Sequence, residues 1–299
     1  MFDSALKLPP FILLLALLTG PVFGASTPGT RIVLIAGKTS PYKPKREEYR
    51  DGCLLLQKCL AGFPGVTVQI YNLDWPTMEK DGATVDDDAA LDGAAAIVIF
   101  GNGEKYHPLL AGHRLATMGK LMKQGVGLGL MHWAVEPTAE KGEKEFIEWE
   151  GGAFEDNWSI QASWKAEFKT LPDHPVTRGV KPFTNSDEWY FHLRFRAGMQ
   201  GVTPILMAVP PLTTIRKPGP RSGNPTATAE INAGTPQTVM WVSEREGGGR
   251  GFGITGYHLK GWQDDNERKL LLNSILWIAH VEVPPDGVQS QVSPDAIGY

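Results

Sequence analysis

G-V-G-L-G-L-M-H-W-A-V-E, Gly125 to Glu136, decides the fold. Val126 to Met131 is apolar and uncharged, and so short a run suits a strand buried on both faces of a sheet. Gly125, Gly127 and Gly129 fall on one face and leave room for close approach. The run stops at His132-Trp133, and in an open α/β sheet ligands bind outside the carboxyl ends of strands. If the turn after it opens a helix, Glu136 lies four residues on, on the same face as His132. An imidazole and a carboxylate so placed share a proton or a metal.

Working outward, the preceding chain alternates strand and helix. Arg31 to Ala36 reads as a strand, followed by a polar loop with Pro41 and Pro44 and a helix over 46–61. Val66 to Tyr71 alternates as a second strand, Asp86 to Leu91 suits a short helix, and Ala95 to Phe100 is a third strand. A helix over 110–124 leads back to the central run. This β-α-β-α order predicts a doubly wound parallel sheet with right-handed crossovers. Beyond Glu136 a helix is expected over 143–149, then an irregular aromatic loop over 154–163. Strands dominate from there: 164–168, 188–196, 204–209, 238–243 and 251–255. Lys217 to Pro225 reads as a surface loop, and 265–279 as the last helix, with Asp265 a candidate cap. Pro284-Pro285 closes the fold, and 284–299 reads as a tail.

The richest strand is E-W-Y-F-H-L-R-F-R, Glu188 to Arg196. Alternation puts Trp189, Phe191, Leu193 and Phe195 on the core side, with Glu188, Tyr190, His192, Arg194 and Arg196 in one polar row. His258, in G-Y-H-L-K-G-W, follows another strand, with Trp262 close behind. His107 follows the third strand at the same edge. His132, His192 and His258, with Glu136 and Glu188, form a donor set that a divalent ion such as zinc could use. Arg194 and Arg196 beside His192 oppose a cation there, so a metal is not favoured and no cofactor is assigned. G-F-G-I-T-G at 251–256 matches a dinucleotide fingerprint only literally, because it lies within a strand and opens no helix.

The chain of 299 residues carries a net charge of −4, which argues against nucleic acid as a partner. Lys7, the apolar run Phe11 to Leu18 and the small residues around Gly24 read as a secretory signal, cleaved near Gly24. No later segment is apolar enough to cross a membrane, so stable insertion after cleavage is not expected. Two cysteines, Cys53 and Cys59, lie six residues apart in one helix, about 9 Å along its axis, and are expected as buried free thiols.

Five ordered blocks are shared with a known family: the stretch 125–136, D-H-P-V-T-R-G-V at 173–180, D-E-W-Y-F-H-L-R-F at 187–195, G-V-T-P-I-L at 201–206 and G-R-G-F-G-I-T-G-Y-H at 249–258. On these the chain resembles the ThuA-like (trehalose-utilisation) family, in an exported bacterial version, over residues 30–283. The resemblance implies a flavodoxin-like, class I glutamine amidotransferase-like fold completed by a β-rich C-terminal half. His132 stands about where amidotransferases carry their cysteine nucleophile, so that chemistry is not implied. The family's polar cleft maps onto His132, Glu136, Glu188, His192 and His258 for catalysis. Arg194 maps onto the same cleft and Glu48 matches the family's first loop; with Tyr190 of the polar row and with His107 and Trp262 near the strand ends, they are the candidate substrate contacts. Pro41, Glu47 and Tyr49 stand where family members often carry histidines, and Lys260 replaces another. The resemblance implies a small-molecule carbohydrate partner, a disaccharide or keto-sugar derivative, processed by an enzyme. The replaced histidines suit instead a non-catalytic sugar-binding module. A homo-oligomer is compatible with either.

Overall fold

The structure is a computed structural model describing residues 29–41, 48–256 and 258–292. The expected signal segment, Glu47 and the side chain of Lys260 lie outside the described residues. The first half runs β1 (Thr30–Ala36), α1 (Glu48–Leu60), β2 (Val66–Tyr71), a hairpin of β3 (Thr77–Lys80) and β4 (Ala83–Asp86), β5 (Ala96–Phe100), α2 (Arg114–Lys123) and β6 (Gly127–Met131). The second half holds α3 (Glu143–Trp149), β7 (Gly152–Ala153), β8 (Ile160–Phe168), β9 (Phe183–Phe191), β10 (Arg194–Phe195), β11 (Val202–Ala208), α4 (Pro225–Asn232), β12 (Gln237–Glu244), β13 (Arg250–Ile254) and α5 (Asp265–Ile278).

Seven strands form the central sheet in the order β2-β1-β5-β6-β13-β12-β11. The first five are mutually parallel. In chain order they run 2-1-3-4-5, the flavodoxin-like arrangement, whose switch point lies between β1 and β5. Backbones come close there: a Cβ on Gly37, after β1, would lie 2.6 Å from Gly101 Cα, after β5. The sheet is not wholly parallel. β12 and β13 are joined by the tight turn 245–249, with Gly247 and Gly248 at positive φ, and so short a link can only return the chain antiparallel. β11 then pairs antiparallel with β12, with bulges near Pro204.

Both faces of the sheet are covered. Ile32, Leu34, Ala96 and Val98 pack with α1 and α5, whereas Val33, Ile35, Ile97, Ile99, Leu128 and Leu130 pack with α2 and α3. The glycines of the central strand serve this packing: a Cβ on Gly127 would lie 2.2 Å from the Ile278 carbonyl oxygen, and one on Gly129 2.4 Å from the Phe252 ring. α5 can therefore lie directly on β6. Asp264, rather than Asp265, caps α5, accepting from the Asn266 amide at 2.8 Å, while Asp265 pairs with Arg268 and Lys269. The chain past Pro285 continues to pack, since Val288 is buried and its amide donates to Asn273 at 2.8 Å. Cys53 is buried and Cys59 half-buried, both as free thiols. Among the described residues no helix is long and apolar enough to cross a membrane.

Three local expectations change. β8 and β9 form a nine-residue antiparallel hairpin, Ile160 opposite Phe191 through Phe168 opposite Phe183, so the aromatic loop is shorter than its composition suggests. The Pro-rich segment ends in α4, where Asn224 caps the helix and Pro225 takes its first turn. His132 opens a 3-10 turn, 132–135, and no α-helix follows, so His132 and Glu136 share no helical face.

Candidate active site at the carboxyl edge of the sheet

His132 follows β6 directly, with a left-handed backbone, φ +54°. That conformation costs a side-chain-bearing residue about 1–3 kcal/mol and persists only where its surroundings hold it. Two contacts fix the ring. Nδ1 lies 2.7 Å from the Thr255 carbonyl oxygen, which can only accept, so Nδ1 carries the hydrogen. Nε2 of the neutral ring is then the acceptor, and the Tyr190 hydroxyl donates to it at 3.2 Å. Glu188 Oε2 stands 3.7 Å from the same nitrogen. Tyr190 is fully buried at the end of β9, and burial, with Glu188 and Glu136 adding, holds its phenol well above its ordinary pKa. It is therefore a donor at neutral pH.

Beside this triad sits a second imidazole. His258 follows β13, and its Nδ1 bonds Asp187 Oδ1, while its backbone amide donates to Asp187 Oδ2 at 2.9 Å. The Asp187 side chain is wholly buried. A buried carboxylate on Nδ1–H fixes the tautomer and makes Nε2 the basic nitrogen. The His132 and His258 rings are 6.1 Å apart. Glu188 and His258 are both half-buried and line one groove of about 890 Å³, together with Ser163, Lys165, Asp187 and Asp264. Its size suits a small-molecule ligand.

Glu136 belongs to a neighbouring arrangement. Arg221, from the Pro-rich loop, bonds Glu136 and Glu104 through one terminal nitrogen and Gln161 Oε1 at 2.8 Å through the other. Burial pushes Glu136 up to about 8, against the pull of Arg221, and Glu104 adds to the rise. The Arg221 guanidinium thus sits between two carboxyl groups, those of Glu136 and Glu104.

The expected polar row on one strand does not form. β9 ends at Phe191, and His192 turns the chain with φ +53°, which breaks the alternation. His192 and Arg194 consequently lie in a separate cluster. His192 Nδ1 donates to the Trp158 carbonyl at 2.9 Å, and its Nε2 is 3.6 Å from Glu230. Arg194 stacks over the Trp158 ring at 3.3 Å and pairs with Glu155. The three histidines therefore do not converge as one metal-ligand set. Three more assignments move off the groove wall. His107 is buried with both nitrogens spent on backbone, 2.9 Å from the Ala134 carbonyl and 3.0 Å from the Leu109 amide. Burial lowers its pKa to about 3, so it stays neutral and anchors the loop beside β6. Trp262 is buried against Phe100, ring centroids 5.8 Å apart. Glu48 is buried at the start of α1. Its neighbour Tyr49 donates to Asn102 at 3.1 Å, and Asn102 donates to the Lys38 carbonyl at 2.9 Å, which ties α1 to the switch point.

Sequence reasoning passed over Asp187 and Arg221. Asp187 is in phase with Trp189 and Phe191, and an acid on a core face calls for a buried partner, so a signal was present. Arg221 lies in an aperiodic loop and offered none.

Sheet order and site together define a flavodoxin-like α/β protein with an acid-and-imidazole cleft at the carboxyl edge of its strands. The trehalose utilisation family model, ThuA, matches residues 33–278, and the chain belongs to the ThuA family. A ThuA-like protein of Bacteroides uniformis has a similar structure, with a TM-score of 0.56 at 15% identity over 87% of this chain and 95% of that one. Another, of Parabacteroides merdae, gives 0.52 at 15% identity over 90% and 94%. At such identity the likeness is one of fold. No curated protein matches the chain.

Proposed function

We propose that this ThuA-family chain is an exported carbohydrate-active enzyme that processes a disaccharide or keto-sugar derivative in the groove between the β8–β9 hairpin and the turn after β13. The observation that carries the reading is the Asp187–His258 pair opening onto the groove beside Glu188, with His132 and Tyr190 behind it. His258 Nε2 takes the proton, from a sugar hydroxyl, a water or the carbon next to a keto group. Asp187 stabilises the imidazolium that forms. Glu188 accepts hydrogen bonds from sugar hydroxyls in the groove, next to His132, whose tautomer Thr255 and Tyr190 fix. The sugar-binding module is the second reading. Tyr49 favours it, because a residue at a position where the family often has histidine is spent on Asn102.

Calorimetry and turnover on a panel of disaccharides and 3-keto sugars separate the two. Turnover that disappears in His258→Ala supports the enzyme, whereas binding without turnover overturns it. Export is tested by the mature N-terminus of the protein recovered from its native host: a start near Ala25 supports it, and retention of Met1 counts against it.

A further inference from the structure

We propose that Arg221 is the positioning residue of the His132–Tyr190 pair, acting from a loop remote in sequence. Four contacts place it there. Its guanidinium bonds Glu136, the residue that ends the 3-10 turn begun by His132. The same nitrogen bonds Glu104, and the Glu104 amide donates to the Glu136 carbonyl at 2.7 Å, so the loops after β5 and β6 are held as one unit. The other terminal nitrogen bonds Gln161, which lies directly opposite Tyr190 in the β8–β9 hairpin. The guanidinium also lies over the Phe154 ring at 5.2 Å, and Phe154 meets Tyr190 edge-on with ring centroids 5.5 Å apart. Phe154 is tied back to the same turn, its amide donating to the Val135 carbonyl at 3.0 Å.

One side chain therefore sets both halves of the His132–Tyr190 contact: the turn that aims the imidazole and the hairpin that aims the phenol. The need for such a brace follows from the left-handed backbone at His132, which its surroundings must enforce. An arginine suits the task because its planar fork bonds several acceptors in fixed directions, which a lysine ammonium does not reproduce. Arg221 itself touches no reacting atom in this scheme.

The inference rests on the proposed function only for its catalytic consequence; its structural core is tested without substrate. Protein carrying 15N-labelled histidine reports each ring by NMR. In Arg221→Ala the His132 nitrogens are expected to shift and the Nδ1 hydrogen to exchange faster, while the His258 nitrogens stay in place. In Arg221→Lys the His132 change persists, and millimolar guanidinium added to Arg221→Ala reverses part of it. Unchanged His132 signals, or equal disturbance of His258, would overturn the inference, the second by showing general loosening. Should Arg221→Ala not fold, Arg221→Lys carries the test. On any sugar that is turned over, kcat is expected to fall about 100-fold with KM nearly unchanged, the scale of a 1 Å misplacement. A protein that turns over no sugar but shows the NMR changes leaves the positioning role standing and removes the carbohydrate reading.

Discussion

His132 and His192 are near twins in local geometry and opposites in surroundings. Both have a left-handed backbone, φ +54° and +53°, and both are buried, 6% and 8% exposed. Both donate Nδ1–H to a backbone carbonyl and turn Nε2 toward side chains. His132 stands at the end of a central parallel strand, where Nε2 meets Tyr190 and Glu188 within reach of His258. His192 stands where β9 gives out, stacked on Trp158 at 4.7 Å and facing Glu230 of α4, and the Ser159 hydroxyl donates to its carbonyl at 3.0 Å. The same residue in the same conformation thus serves a groove in one place and locks a loop in the other. What differs is the strand that each follows: β6 of the central sheet for His132, and β9 of the separate two-stranded β8–β9 sheet for His192.

The largest effect is expected at the pair beside His132. Asp187→Asn keeps the shape of the side chain but removes the charge that fixes the His258 tautomer. It should lower kcat about 10²–10⁴-fold, the usual worth of a positioned acid or base. Steady-state kinetics on the sugar that is turned over measures this, and a loss below tenfold would remove His258 from the chemistry.

Substituting both twins tests the comparison itself. Asparagine tolerates the left-handed backbone, so the main-chain cost is similar at the two sites. His132→Asn is expected to lower kcat about 100-fold. His192→Asn should leave activity within tenfold and cost about 1–2 kcal/mol of stability, from one buried hydrogen bond and the ring stack. Urea unfolding beside kinetics reads both. Equal catalytic losses would make His192 part of the site after all.

A pH dependence of stability is expected from Glu136, beside the His132 turn. Folding raises the Glu136 pKa from its ordinary value to about 8, so between pH 4.5 and 8 the folded chain holds a proton that the unfolded chain releases. Stability from this group is complete below pH 4.5 and is lost as pH rises through 8. A tenfold change in proton affinity between the two states is worth about 1.4 kcal/mol. The parent should lose stability over this window, and Glu136→Gln, which can still accept from Arg221, should flatten the loss. Parallel unfolding midpoints for the two proteins from pH 5 to 9 would refute this.

How much could be read beforehand follows the same division. The apolar runs of β1, β5 and β6 and the apolar side of α5 announce the sheet and its cover, because burial on both faces leaves an unmistakable composition. His132, Glu188, Tyr190 and His258 were legible as strand-end or strand-face polar residues, and the structure brings them together. The placement of His192 and Arg194 was not legible. Alternation persists only while the strand does, and a non-glycine residue at positive φ gives no warning in sequence. Arg221 was hidden for a different reason: its partners Glu104, Glu136 and Gln161 come from three distant segments, and no local pattern encodes them.

The smallest expected effect concerns α4, which supports the His192 cluster. Asn224 accepts from the Ala227 amide at 2.9 Å and Pro225 occupies the first turn, a helix-start pairing concealed by the surrounding loop composition. The helix is only eight residues long, too short to persist on its own propensity, so its cap and the packing of Ala227 and Ile231 hold it. Asn224→Ala should cost about 1 kcal/mol. Because α4 carries Glu230 toward His192 and not toward His132, the loss should appear in the urea midpoint and leave kcat and KM unchanged. A fall in kcat would instead show that the loop-locking cluster is coupled to the groove and that the two histidine sites act as one.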